Sequence, residues 1–218
     1  MKNKQPKLIA LVTITIAAAL FTGCATSGYQ QADKTGAGIA KFREEVAKAK
    51  LAVDDTVKSL GQVAVTANTN PREAFKQYSK SLANLESTAA EAKKHAADVK
   101  AQGQAYFANW EKQLAELKNP EIRNLAVQQK AKLQAAFDSI KTVSAPLKAQ
   151  FDPWLSDLQD LQKYLSNDLT ISGVAAAKGM FAKTQTEGFE VQKSMDALVA
   201  ELNTVAATLT PANVKAAK

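Results

Sequence analysis

The sequence predicts an all-α protein: an elongated, antiparallel up-down-up-down bundle of four helices packed as a coiled coil. Three observations predict this fold. Between residues 36 and 209, apolar side chains recur every seven residues in alternating steps of three and four. The pairs Asn70–Pro71 and Asn119–Pro120 each resemble a helix N-cap followed by proline at the first helical position. Glycine and proline number only 9 and 6, so long segments contain no helix breaker.

The first 23 residues have the layout of a secretory signal peptide. Lys2, Lys4 and Lys7 precede an apolar run over residues 8–21. As a helix this run would be roughly 21 Å long, which is short of the ~30 Å hydrocarbon core of a membrane. We therefore expect a cleaved leader rather than a transmembrane helix.

Residues 20–24 (LFTGC) resemble the lipobox of bacterial lipoproteins. The resemblance implies cleavage before Cys24, a diacylglyceryl thioether on its sulfur, and usually an N-linked acyl chain such as palmitate. Ala25 stands where an inner-membrane retention signal would have aspartate, which favours the periplasmic face of the outer membrane. The alternative is an ordinary leader with a leftover cysteine. Because the chain has one cysteine, it cannot form an internal disulfide.

The first two helices follow from their heptads. Residues 24–35 are polar without an apolar period, which predicts a flexible tether. Helix one, at about residues 36–66, presents Ile39, Phe42, Val46, Ala49, Val53, Thr56, Leu60 and Val63. Helix two, at about residues 71–118, presents Phe75, Tyr78, Leu82, Leu85, Ala89, Ala92, Ala96, Val99, Gly103, Tyr106, Trp110, Gln113 and Leu117.

The third and fourth helices complete a bundle domain over residues 36–209, before a disordered basic tail at 210–218. Helix three presents Ile122, Ala126, Gln129, Leu133, Ala136, Ile140, Val143, Leu147, Phe151, Trp154, Leu158, Leu161 and Leu165. Pro146 and Pro153 disturb its period, so we expect a kink or a break there. Helix four begins after Thr170 and presents Val174, Ala177, Phe181, Thr184, Gly188, Val191, Met195, Leu198, Leu202, Val205 and Leu209.

Folding the chain near residues 69, 119 and 169 makes consecutive helices antiparallel neighbours and predicts which side chains meet. Phe137 falls opposite Gly103, and Phe42 falls opposite Ala96. One further layer places the large ring of Phe151 level with three small residues, Ala49, Ala89 and Gly188. The same folding places both termini of the bundle at the end that carries the turn near residue 119.

Composition argues against several classes of function. Removal of the leader takes away three of 28 basic residues and no acidic one, so the net charge falls from +7 to +4. Lysine alternates with acidic residues along each helix, which is unlike a nucleic-acid binder. A di-iron bundle needs two Glu-x-x-His motifs, whereas His95 is the one histidine and we expect it at the surface. No catalytic, cofactor or metal motif is recognised, and we expect no enzyme.

Two features suggest contacts with other molecules. A group of apolar residues lies near the 119 turn, beyond the predicted start of helix one: Tyr106, Phe107, Trp110, Leu114, Leu117, Ile122 and Leu125. An apolar patch there could bind an envelope protein or rest on the membrane, although core packing is the simpler interpretation of Trp110. The terminal Lys218 matches the peptidoglycan-linked lysine of the major outer-membrane lipoprotein, whereas a solvated end is the simpler interpretation.

The bundle region resembles the bacterial family named domain of unknown function 2959. The resemblance rests on FKQYSKSLANLE, AYFANWEKQLAELK and APLKAQFDPWLSDLQDLQKYLSNDLT. It implies a helical envelope protein without assigned activity. The leading hypothesis is a lipid-anchored structural or adaptor module for an envelope protein whose identity the sequence leaves open, as it does the oligomeric state. The alternatives are a carrier of lipid or apolar ligand, and a peptidoglycan tether acting through Lys218.

Overall fold

The structure, a computed structural model, describes residues 28–209. Its helices are α1 (Gly28–Val65), α2 (Pro71–Glu116), α3 (Pro120–Asn167), α4 (Ile171–Ala176) and α5 (Lys178–Leu209). Over this range the chain forms helices and turns and contains no strand. The all-α bundle predicted from the heptads is therefore confirmed.

Contacts across the four helix interfaces run in opposite chain directions. Along α1 and α5, Lys50 pairs with Asp196 at 2.5 Å, and Arg43, seven residues earlier, bonds Asn203, seven residues later. The same inverse order holds between α1 and α2, between α2 and α3, and between α3 and α5. The helices thus alternate up and down around the ring α2, α1, α5, α3.

Helix α1 begins at Gly28, eight residues before the predicted start, so the part of the expected flexible tether from residue 28 to 35 is helical. Thr35 is buried, and its hydroxyl donates to the Gln31 carbonyl at 2.7 Å. The Asn109 amide of α2 donates to the Gln31 side chain at 2.9 Å. The first turns of α1 thus contact α2 through polar side chains. These contacts extend the helix although residues 28–35 have no apolar stripe.

Helices α2, α3 and α4 begin at the predicted positions, but the residues before them differ in whether their side chains cap the helix. Asn119 accepts hydrogen bonds from the backbone amides of Glu121 and Ile122, as an N-cap does. Asn70 precedes Pro71 but makes no side-chain cap bond. Thr170 caps Gly173, and the predicted fourth helix is interrupted at Ala177 into α4 and α5.

Helix α3 runs without a break through Pro146 and Pro153, so of the two expected outcomes, a kink or a break into two helices, the break does not occur. Both prolines are exposed, as are Thr142 and Ala149, whose carbonyls lose a partner four residues before each proline. Water can satisfy these carbonyls. Packing of the opposite face, including Phe151, keeps the helix continuous.

Most heptad positions contribute to one core, but Gln113 of α2 and Ile122 and Gln129 of α3 are exposed. All eight predicted positions of α1 and all eleven of α4 and α5 are buried. In α3 the buried residues begin only at Ile140. Ser139 contacts Glu201, close to the end of α5 at Leu209. Most of the preceding part of α3 therefore extends past the end of α5. The first half of α3 is therefore covered on fewer sides than its period predicts.

The predicted layers are partly reproduced. A Cβ on Gly103 would lie 2.7 Å from Cε1 of Phe137, which confirms that pairing. A Cβ on Gly188 would instead lie 3.3 Å from Cζ2 of Trp154 and 2.8 Å from Cγ2 of Val57. The layer predicted around Phe151 is wrong for this glycine by one helical turn, because Trp154 points into the space that Gly188 leaves.

Candidate ligand groove between helices α2 and α3

Helices α2 and α3 touch least of the four neighbouring pairs, and an apolar groove opens between them. One cavity of about 400 Å³ reaches inward to Met195 and Leu198 of α5. A second of about 600 Å³ continues along the same two helices towards Phe107. The two cavities share Ser144 and, with it, Phe42 and Ala96, so they form one groove.

Small residues create this groove. Ala89, Ala92 and Ala96 succeed one another along α2, and Ala49 of α1 lies below them. None has a side chain beyond Cβ, so the space up to Phe151 of α3 stays unfilled. Protein interiors are normally packed without voids larger than a water molecule, which makes an apolar space of this size a candidate binding site.

Polar contacts tie the two helices together on either side of the groove. Towards the turn between α3 and α4, the Tyr78 hydroxyl donates to the Leu158 carbonyl at 2.6 Å. Burial raises the pKa of Tyr78, so the hydroxyl keeps its proton. Towards the turn between α2 and α3, Lys130 forms an ion pair with Glu111. These contacts join α2 and α3 directly beyond each end of the groove.

One ion pair crosses the mouth. Lys93 of α2 binds Asp152 of α3 at 2.8 Å, and its ammonium nitrogen lies 5.6 Å from the centre of the Phe151 ring. Three more lysines line the groove, at positions 100, 141 and 148, together with Asp138. The lining therefore combines an apolar floor with four cationic and two anionic side chains at the rim.

The aromatic part of the predicted patch is largely covered, whereas Ile122 and Leu125 at the same turn are 49% and 58% exposed. Tyr106, Phe107 and Leu114 are buried, and Trp110 is half-buried. The early start of α1 covers Tyr106 and Trp110, because Gly28 and the turn that follows it lie beside them. Phe107 packs instead on Phe137 of α3. The rings of Tyr106, Phe107 and Trp110 form an aromatic cluster, with 5.3 Å between the ring centres of Tyr106 and Phe107.

The other predicted sites stand as follows. Cys24 and Lys218 lie outside the described residues, as do the leader and the basic tail. His95 is partly buried rather than fully at the surface, with Nδ1 3.6 Å from Asp98. Within residues 28–209, no three His, Cys, Asp or Glu side chains cluster as metal ligands, and no helix there is long and apolar enough to cross a membrane.

Comparison with known proteins gives the chain a family. A family model described as a protein of unknown function, DUF2959, matches residues 21–209. The chain belongs to the DUF2959 family. The match confirms the resemblance seen in the sequence and includes every residue of the groove in this DUF2959 protein. Neither the curated proteins nor the solved structures contain a match to the chain.

The groove residues of the DUF2959 chain were missed in the sequence. In the sequence its lysines are typical of solvated helix faces, and its alanines occupy heptad positions. The available signal was the spacing: Lys93 and Lys100 are seven residues apart on α2, and Lys141 and Lys148 are seven apart on α3. Such spacing keeps each pair on one side of its helix.

Proposed function

We propose that this DUF2959 protein is a non-catalytic, lipid-anchored envelope protein that carries the apolar chain of a lipid-like ligand in the groove between α2 and α3. One observation carries the proposal: the groove extends into the apolar interior of the bundle, as far as Met195 and Leu198. Most ligand pockets have volumes of about 300–1,000 Å³, predominantly apolar walls and a few polar groups.

The width of the groove favours a thin ligand. Two packed helices need about 8–10 Å between their axes, whereas one lysine and one aspartate side chain bridge this mouth between Lys93 and Asp152. A partner helix would have to displace that pair and push α2 from α3. A single acyl chain can lie beneath it.

A lipid anchor would hold such a carrier beside the membrane, which contains lipid-like ligands. With Cys24 lipidated, three residues lie between the anchor and Gly28. The four residue steps span at most about 14 Å, so the start of α1 would stay near the outer-membrane surface. Gly28 is level with Gln113 of α2. Ala89, the far end of the alanine row, is then about 36 Å along the rod, and the groove lies between these levels.

Photolabelling of the full-length lipoprotein in phosphatidylcholine vesicles tests the proposal. A diazirine-bearing hexadecanoic acid should label peptides from residues 89–107 and 134–152. Ala96→Leu places a larger side chain where the two cavities join, and should abolish most of the labelling without lowering the melting temperature. Ala97→Leu adds the same atoms at an exposed neighbour and should leave labelling unchanged. Label spread evenly over the chain would reject the carrier function.

A second candidate, the adaptor role, rests on a different surface. Between α1 and α5, on the side of the bundle away from the groove, Val65 and Phe189 are 75% and 65% exposed. They flank a cleft of about 450 Å³ that also includes Gly61 and Gly188. Exposed apolar side chains beside small residues suit the apolar face of a helix from an envelope protein.

Site-specific crosslinking tests the adaptor role. A photoreactive amino acid at Phe189 should form one discrete adduct in cells, and the same group at the exposed Ala97 should not. Phe189→Ala, combined with a photoreactive group at Val65, should weaken that adduct. Equal crosslinking from Ala97 would count against an adaptor surface.

A further inference from the structure

The lysines of the groove face one another across its mouth. The Lys130–Glu111 ion pair fixes the antiparallel register of α2 and α3. Eleven residues before Glu111 stands Lys100, and eleven after Lys130 stands Lys141. A further seven residues in the same directions lead to Lys93 and Lys148. Eleven and eighteen residues are close to three and five helical turns, so all four lysines lie on the facing sides.

The lining of each cavity agrees with this register. Lys93 and Lys148 both line the inner cavity, and Lys100 and Lys141 both line the outer one. The groove therefore contains two pairs of facing lysines, each with one lysine from α2 and one from α3. Such facing like charges repel each other.

The acidic groups in the groove neutralise only part of this charge. Asp152 pairs with Lys93. Asp138 lines the outer cavity but forms no ion pair among residues 28–209, and neither do Lys100, Lys141 or Lys148. Four cations against two anions leave the rim with an excess of two positive charges, which an anionic ligand would balance.

We propose that the ligand is a long-chain carboxylate, a fatty acid, with its headgroup between Lys100 and Lys141. This inference rests on the carrier function and adds the ligand class. The chain then runs under the Lys93–Asp152 pair to Phe151 and Ala89. From Lys100 to Ala89 is a distance of about 16 Å along α2. The inner cavity of about 400 Å³ suits one chain better than the two chains of a phospholipid.

Matched photoprobes separate this inference from the carrier function. Full-length protein in phosphatidylcholine vesicles is labelled with diazirine-bearing hexadecanoic acid or with the corresponding hexadecanol. The acid should label groove peptides about fivefold more than the alcohol at low ionic strength, since two partly exposed ion pairs contribute that much. The excess should shrink in 0.5 M salt because the charges are screened.

Variants then assign the excess to the rim. Lys100→Gln with Lys141→Gln should reduce labelling by the acid to the level of the alcohol and leave the alcohol unchanged. Lys112→Gln with Lys132→Gln removes the same charge from exposed positions of α2 and α3 outside the groove lining, and should have no effect.

Each outcome has a separate meaning. Equal labelling by acid and alcohol overturns the carboxylate assignment while the carrier function stands. Absence of groove labelling by both probes overturns the carrier function itself. Displacement of the acid by added phosphatidylglycerol, but not by unlabelled palmitate, would show a phospholipid site and also reject the assignment.

Discussion

The Tyr78 hydroxyl on α2 donates a 2.6 Å hydrogen bond to the main-chain carbonyl of Leu158 on α3. It joins the two helices that touch least, at a point where both residues are buried. The bond therefore fixes the separation of α2 and α3 beside the groove.

Tyr78→Phe should lower the free energy of unfolding by about 1 kcal/mol, because a buried hydrogen bond is lost while the Leu158 carbonyl keeps its place in the helix. Chemical denaturation checks the value. Tyr164→Phe is the control: its hydroxyl bonds the Gly173 carbonyl at 3.0 Å from a more exposed position, so its loss should be smaller. Equal losses would contradict the special role of the buried bond.

High pH should destabilise the protein through the same residue. Burial raises the pKa of Tyr78 above its ordinary value in the folded state. The unfolded chain therefore releases this proton first, and the contribution of Tyr78 to stability, complete below a pH of about 10, is lost as the pH rises further. Melting temperatures from pH 8 to 11 should fall more steeply for the wild type than for Tyr78→Phe, and parallel curves would refute the assignment.

Gly103→Ala should destabilise the bundle although alanine favours helices by about 1 kcal/mol. The new Cβ would meet the ring of Phe137 at 2.7 Å, and overpacking usually costs about 1–3 kcal/mol. The expected net loss, measured by urea unfolding, is about 1 kcal/mol. In a Phe137→Ala background the same change should become stabilising, and a loss that persists there would exclude this contact as the cause.

Trp154 should be among the most sensitive positions of the core. Its ring is buried beside Gly188, and its indole N–H donates to the Thr184 carbonyl at 2.8 Å. Trp154→Ala should cost about 3–5 kcal/mol. Trp110→Ala, at a half-buried tryptophan, is the control and should cost less. The order of the two unfolding midpoints decides the prediction.

The first turns of α1 should be protected from hydrogen exchange. Residues 28–35 are helical and are tied to α2 by the bond between Gln31 and Asn109. Asn109→Ala should accelerate exchange in residues 28–35 about fivefold, as expected for a local loss of about 1 kcal/mol, and leave residues 46–60 unchanged. If residues 28–35 of the wild type exchanged as fast as an unstructured peptide, the prediction of a flexible tether would be correct instead.

Particular residues show how far the sequence alone reaches. The pairing of Phe137 with Gly103 follows from nearly equal distances along two helices from the turn near residue 119, and it is correct. The same counting places Gly188 against Phe151 rather than Trp154, because it locates a layer to about one helical turn. It cannot tell which of two large rings enters a given gap.

The groove and the covered aromatic patch were beyond the same method. The heptad locates Ala89, Ala92 and Ala96 on the inner face of α2 but does not say how far away α3 lies. Likewise, the polar residues 28–35 carry no apolar stripe, so the turns of α1 that cover Tyr106 gave no signal in the sequence.

The sequence by itself determined the number of long helices, their alternating directions and nearly all of the core, because a seven-residue apolar period and the capping pairs act locally on each segment. Only the tertiary structure decided how closely neighbouring helices approach, which leaves the groove open between α2 and α3 and brings the lysines of both helices to its rim. That spacing depends on the volumes of side chains from four helices at once, a sum that no single segment specifies.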